Sequence, residues 1–364
     1  MFLCAVGPLI IFHELGHYWA GRWCGVRAEA FSIGFGQPIA GWHDKRGTHW
    51  RIGWLPLGGY VKFAGEYELD GMPSPRQPFD GFETAKLWQR AVIIAAGPVA
   101  NFIIAFLVLC VIVGISGEPV MKNGLPIVST TIAQIEPHSS AQLAGFKRGD
   151  TVIAIDGQAV SDFMVIREKV MAHPKQVMHF NVRRGTESLI IAVTPDIAKA
   201  TEQAKPTAPR GHIGIVPVFA TQPVAPYAIP GLALRGVANW TLMIGDAIGQ
   251  MVTGRIPLSS LGGPLQTAQV AGEVATGGAV DFLTLIAFIS INLGFMNLLP
   301  VPVLDGGHLA LYGLEALRRK PLSAKARENV FRTGLAMLVT LFVVVTINDL
   351  GSFGVWKSLA GLIG

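Results

Sequence analysis

The sequence predicts an α-helical polytopic membrane protein with about four transmembrane helices, a re-entrant β-hairpin and one inserted α+β domain on the extracytoplasmic side. Three observations predict it. Of 364 residues, 51% are hydrophobic and only 15% are charged, with a mean hydropathy of +0.45, too apolar for an ordinary soluble enzyme. The apolar residues collect into uncharged runs of membrane-crossing length. Between the second and third run lies a stretch of short, alternating, β-rich pattern that reads as a water-exposed domain.

The first expected span is 1–21. Met1 to Phe12 carries no charge, Tyr18-Trp19-Ala20 continues the apolar character, and Arg22 is the first basic residue. A secretory signal peptide would need a basic lead and a small-residue cleavage site, and would not contain two histidines and a glutamate. The lead-in before His13 is short for a full span, so the start is expected to lie a few residues upstream. The second span is 91–117 and the third 282–299. The fourth, 333–348, is short and bounded by Arg332 and Asp349.

Basic residues orient these spans. The loop between spans one and two, about 22–90, holds Arg22, Arg27, Lys45, Arg46, Arg51, Lys62, Arg76, Lys86 and Arg90. The loop between three and four holds Arg318, Arg319, Lys320, Lys325, Arg327 and Arg332. Both are expected to be cytoplasmic, which puts 118–281 outside. The division expected is 1–117 for the first two spans and their loop, 118–197 for the inserted domain, 198–278 for a linker and interfacial helix, and 279–364 for the last two spans.

Within the first loop, 31–36 and 50–62 are apolar, glycine-rich and strand-like, with a turn at 44–47. A hairpin that dips toward the bilayer would offer its free edge to an extended peptide; a peripheral hairpin with no substrate contact is the plain alternative. In the inserted domain, 151–157 reads as a strand ending in a turn, 161–173 as a helix, and 179–193 as two strands joined at Arg184-Gly185. Residues 196–210 read as a linker. From Arg235 to Gly254, Val237, Trp240, Ile244, Ile248 and Met251 share a helical face, as on an interfacial helix or an ordinary core-facing one.

Composition excludes some functions. No Lys/Arg run is interleaved with aromatics, so nucleic-acid binding has no support. The three cysteines, Cys4, Cys24 and Cys110, imply neither a disulfide framework nor a zinc knuckle.

The chemistry concentrates at His13-Glu14-Leu15-Gly16-His17. On a helix, His13 and His17 lie one turn apart and about 40° around the axis, so both imidazoles can face one Zn2+. Glu14, about 60° from His17, can reach a water beside the ion without ligating it, as a general base for peptide hydrolysis. Each charge buried in a bilayer costs roughly 2.5–3.5 kcal/mol, so such a cluster needs a purpose. A catalytic zinc takes a third protein ligand. The run from Asn297 to His308 breaks the third span at Pro300 and Pro302 and contains Asp305; His308, three residues on, is the rival ligand. The site is expected nearer the cytoplasmic face. A non-catalytic membrane scaffold with a structural zinc is the alternative, and a broken-helix transporter would leave Glu14 without a role.

These residues resemble the site-2 protease family of intramembrane zinc metalloproteases, most closely its bacterial regulator-of-sigma-E protease branch. The likeness rests on His13 to His17, Gly97-Pro98-Val99-Ala100-Asn101, 297–307, 56–62 and 144–157. It implies zinc on His13, His17 and Asp305, with Glu14 as base. It implies substrate contacts from Asn297 and Asn101, and from Gly58, Gly59 and Tyr60 in a re-entrant hairpin. It makes the outer domain PDZ-like, a single copy where this branch often has two. It also implies the bacterial inner membrane and its lipid as the setting, in stress response. The implied substrates are single-pass proteins: anti-sigma factors after a first cut, or signal peptide remnants.

Overall fold

The computed structural model describes residues 2–65, 80–122, 125–126, 128–136, 139–197, 210–256, 272 and 278–352. The chain divides into two compact units, one formed by Met1–Ile112 with Tyr227–Gly364 and the other by Val113–Pro226.

The first unit is built on helices. α1 is Phe2–Trp23, α2 is Leu87–Ser116, and three of the described helices are long and apolar enough to cross a membrane. These are α2, Ala279–Leu298, and Lys325–Ile347. α1 is not among them, because His13, Glu14 and His17 lower its hydropathy although its length, about 33 Å, would suffice. The last apolar segment is longer than the expected 333–348. Its helix starts at Ala324, since the charged first turns continue one helix into the apolar run. Along α2 the exposed residues Val99, Ile103, Leu107 and Val111 recur every four positions as an apolar stripe. In a bilayer such a stripe costs nothing, because lipid is as apolar as the side chains.

Between α1 and α2, β1 (Ala28–His43) and β2 (His49–Phe63) pair antiparallel. The register is more elaborate than one hairpin. Residues 28–33 pair with 63–59 and residues 38–43 with 53–49, while 30–33 also pair with 49–52, both numbers rising together. The long hairpin therefore folds back on itself into four half-strands in the order 38–43, 49–53, 28–33, 59–63. Gly34 and Gly36, both at positive φ, mark the bend in β1, and Gly58 the bend in β2. The sheet is seated on α1 and α2 through Phe31, Phe63, Tyr18 and Ile93, all buried. Its far end exposes Phe35, Ile39 and Trp54.

α5, Ile229–Val252, is amphipathic over its whole length. The structure puts its apolar face not into an open interface but against its neighbours. Ala233, Val237 and Ile244 pack with Ala105 and Leu109 of α2 and with Ala287 and Ile291 of α6 (Ala279–Leu298). After α6 the chain turns through 299–304 and enters α7, Asp305–Arg318, then α8, Ala324–Ser352.

The second unit is an α+β domain. Its strands are β3 (Val128–Ile135), β4 (Thr151–Ile155), β5 (Gln158–Ala159), β6 (Met178–Arg184), β7 (Glu187–Val193) and β8 (Ile215–Phe219). The sheet runs β7-β6-β4-β3-β8, with β5 paired to β4. α3 (Ser140–Leu143) is capped by Ser139, and α4 (Phe163–Ala172) by Asp162. Asp156 and Gly157, both at positive φ, make the tight turn into β5. The unit does not end at 197 as the sequence reading had it. β8 comes after 198–209 and closes the sheet against β3, a pairing across about 80 residues that no local pattern announces. Residues 198–209, most of the expected linker, lie outside the described residues.

Candidate active site

Helix packing brings the polar cluster together. Gly16 faces Ala96 and Ala100 so closely that a methyl group there would meet backbone, which lets α1 and α2 lie in near contact. Gly97 sits under the two imidazoles, where a Cβ would run into the rings of His17 and His13. Gly306 and Gly307 lie against the carbonyls of Leu298, Leu299 and Val301. That contact folds 299–304 tightly enough to bring the first turn of α7 to α1.

Three side chains converge as a result. His13 Nε2 is 3.2 Å from Asp305 Oδ2, His17 Nε2 is 3.6 Å from it, and the two Nε2 atoms are 3.2 Å apart. Both histidines are buried. Asp305 Oδ2 is buried and has no well-aligned hydrogen-bond partner among the described residues; a cation between it and the two imidazoles would satisfy it. A tetrahedral zinc with bonds of about 2.0–2.1 Å has ligand–ligand edges of about 3.3–3.4 Å. The observed triangle matches that edge length, and no other trio of histidine, cysteine or acidic side chains among the described residues converges in this way.

The second contacts of the imidazoles point the same way. His17 Nδ1 donates to the carbonyl of Ile93 at 2.8 Å, which leaves the Nε2 lone pair facing the cluster. Asn101 is fully buried, with its amide 3.1 Å from His13 Nδ1 and its Oδ1 without a partner. A half-turn of that amide, which leaves its shape unchanged, brings Oδ1 to the Nδ1–H and gives His13 the tautomer of His17. The main chain of Asn101 is itself held by Ser290, whose hydroxyl donates to its backbone carbonyl. Its surroundings are thus those of a residue orienting His13, rather than of one open to substrate. Ile93 and Ser290 are neighbours of the trio that motif reading passed over, and Gly97 was read only as part of the 97–101 run. Only Gly97, four residues before Asn101 on one helical face, carried a readable signal.

Glu14 points to the hairpin. The backbone N–H of Val61 faces its carboxylate, and its Cγ lies 3.2 Å from where a Cβ on Gly59 would stand. The half-strand 59–63 is an outer strand of the sheet, so its edge runs past Glu14. Tyr60 stacks on Phe35 and lies under the Arg51 guanidinium. Gly58, at φ 95°, lies against the same Phe35 ring. Asn297 is half-buried near the end of α6 and makes no side-chain hydrogen bond among the described residues. His308 lies one turn beyond Asp305, against Phe331 and Tyr312 and outside the converging trio.

Comparison with known proteins gives the family. The model of peptidase family M50 matches residues 1–341. A protein of Agrobacterium fabrum whose name calls it a zinc metalloprotease is 39% identical, over 96% of this chain and 95% of its own. Metalloprotease MmpA of Caulobacter vibrioides is 33% identical, over 99% and 97%. The regulator of sigma E protease of Salmonella typhi is 29% identical, over 96% and 97%. The chain belongs to peptidase family M50, the site-2 proteases, and is a membrane zinc metalloprotease.

Proposed function

We propose that the protein cleaves transmembrane segments of single-pass membrane proteins inside the bilayer. The observation that carries this reading is the convergence of His13, His17 and Asp305 beside Glu14, on helices that otherwise have lipid-compatible surfaces. His13, His17 and Asp305 hold the zinc. When bound, the ion polarises a water and the scissile carbonyl. Glu14 would take a proton from the attacking water as its oxygen adds to the scissile carbonyl, and return it to the amide nitrogen as the C–N bond breaks. Asn101 and Ile93 keep the imidazoles in the ligating tautomer, and a partner of this kind is worth 10–100-fold in metal affinity.

A transmembrane helix hides its peptide bonds in i→i−4 hydrogen bonds, so it must unwind to be cut. The 59–63 edge offers the unwound segment replacement partners, as an added strand running past Glu14. Gly58, Gly59 and Tyr60 line it, and Asn297 offers its amide to the substrate backbone. α1 crosses the bilayer as a fourth span, and the active site lies nearer the cytoplasmic side. The second unit is a PDZ-like domain on the outer side of the bacterial inner membrane, where it restrains substrates whose outer portion is still bulky. The relative named regulator of sigma E protease supports anti-sigma factors after a first cut as one substrate class; signal peptide remnants are the other.

The reading is tested with protein reconstituted in vesicles and a single-pass substrate. Wild type contains about one zinc and cleaves within the transmembrane segment. Glu14→Gln retains the zinc and loses at least about 100-fold in turnover, the low end of what a general base supplies. Undiminished cleavage by Glu14→Gln would overturn the mechanism.

A further inference from the structure

The helix that carries the zinc motif is tied to the hairpin on a second face. Tyr18, the residue after His17, points about 100° away from it around α1. Its ring is buried edge-on against Phe31 and Trp50, at 5.8 and 5.2 Å between centroids. Its hydroxyl accepts from Arg22 Nη1 at 2.6 Å and donates to Asp44 Oδ2 at 3.2 Å. The same Oδ2 accepts from Trp50 Nε1 at 3.3 Å, while Oδ1 accepts the backbone N–H groups of Arg46 and Thr48. Thr48, itself buried, donates its hydroxyl to the carbonyl of Ala28. One carboxylate at the turn of the folded-back half therefore gathers four donors from α1, the turn and the second half-strand.

We infer that Asp44 is a positioning residue which, through Tyr18 and Trp50, sets the register between the 59–63 edge and Glu14. The mechanical path is short. Asp44 holds Trp50, the 49–53 half-strand pairs with 28–33, and 28–33 pairs with 59–63. The sheet meets α1 at one end through Asp44–Tyr18 and at the other through Gly59 and Val61 at Glu14. Two anchors on one helix define where the edge lies along it; one anchor leaves the edge free to slide. Burial by itself raises the Asp44 carboxyl. The bonds from Thr48, Trp50 and Tyr18 and the nearby Arg22 charge outweigh that and hold it below the usual carboxylate range, so the tie is made by an anion at neutral pH.

The inference rests on the reading that substrate pairs with the 59–63 edge. Two variants of the full chain test it. Asp44→Asn keeps an oxygen for the turn N–H groups and removes the acceptor of the Tyr18 and Trp50 bonds. Tyr18→Phe removes one hydroxyl and keeps the packed ring. Zinc content, kcat, KM and the cleaved bonds, mapped by mass spectrometry of the products, are measured with a single-pass substrate. Both variants are expected to keep about one zinc. Cleavage is expected to spread to bonds two residues away, the repeat of a strand, with kcat about 10-fold lower and KM changed less, as for a misplaced but intact catalytic group. The double variant should be no worse than the poorer single one, because both break one tie.

A single cleaved bond at the wild-type rate in both variants would overturn the inference, as would loss of zinc along with activity in Tyr18→Phe. Substrates N-methylated at amides flanking the scissile bond separate the two readings. If wild type cuts them as fast as unmodified substrate, edge pairing has failed, whatever Asp44 does.

Discussion

At the scale of single residues, the site depends on positions where almost nothing is present. Gly97 leaves the space that the His13 and His17 rings occupy. Its replacement by alanine moves the imidazoles apart without touching a ligand. Gly97→Ala is expected to lower the zinc content well below one per chain and to cost at least about 100-fold in activity, the upper end for outer-contact changes, while helix content by circular dichroism is unchanged. Retention of full zinc would place the rings elsewhere. The histidines and Glu14 were legible from their spacing alone, because a helix imposes the geometry. The third member of the trio was legible only as a candidate, since both Asp305 and His308 lay in the broken run. The structure separates them by one helical turn: Asp305 opens α7 and meets α1, whereas His308 packs on Phe331. Asn101, expected at the substrate, lies instead on His13.

At the scale of elements, two charge clusters do different work. The starts of α2 and α8 meet through Arg90 and Arg327, which share Glu83 and Glu315. Glu315 is buried on α7 and also accepts the N–H of Leu322. Removing its charge leaves two guanidinium groups short of a partner. Glu315→Gln is expected to destabilise the first unit by about 3 kcal/mol, at the low end for a broken buried pair, read as a lower unfolding midpoint in detergent; an unchanged midpoint would show the pairs to be idle.

In the second unit, Asp150 is fully buried and takes a bidentate bond from Arg184 at 2.7 and 2.8 Å, together with the Lys147 N–H. Burial raises its carboxyl, but the Arg184 and Lys147 bonds prevail and hold it below the ordinary range. Because the folded state binds this proton less readily, the stabilisation is complete above the unfolded value of about 3.9. It is lost as pH falls through the lower folded value. Protection of the Met178–Arg184 amides, corrected for intrinsic exchange, should therefore fall on acidification below about pH 4. Asp150→Asn should lower that protection at neutral pH by about 1–3 kcal/mol and weaken its acid dependence.

At the scale of the whole molecule, the proposed topology makes a demand that can be checked by labelling. With α1 crossing, the basic loops before α2 and before α8 share the cytoplasmic side, and the second unit lies on the other. The contact of Arg90 with the same acids as Arg327 requires those two helix starts to be neighbours, consistent with that arrangement. In intact cells, cysteines placed at exposed Lys86 and Lys325 should resist an impermeant thiol reagent, while one placed at exposed Glu187 should react. Reaction at Lys86 would invert the topology.

The sequence by itself determined the helical membrane class, the placing of His13, Glu14 and His17 within one turn of a single helix, and the strand pattern of the hairpin. Each follows from local period, local charge or spacing within one helix. The tertiary structure decided that the hairpin folds back so that 59–63 becomes an edge beside Glu14. It decided that α5 packs on α2 and α6, that β8 closes the second unit, and that Asp305 stands 3.2 Å from His13. Those outcomes depend on surfaces meeting across tens to hundreds of residues, and on glycines whose value lies in the contact they permit. No period in the chain records either.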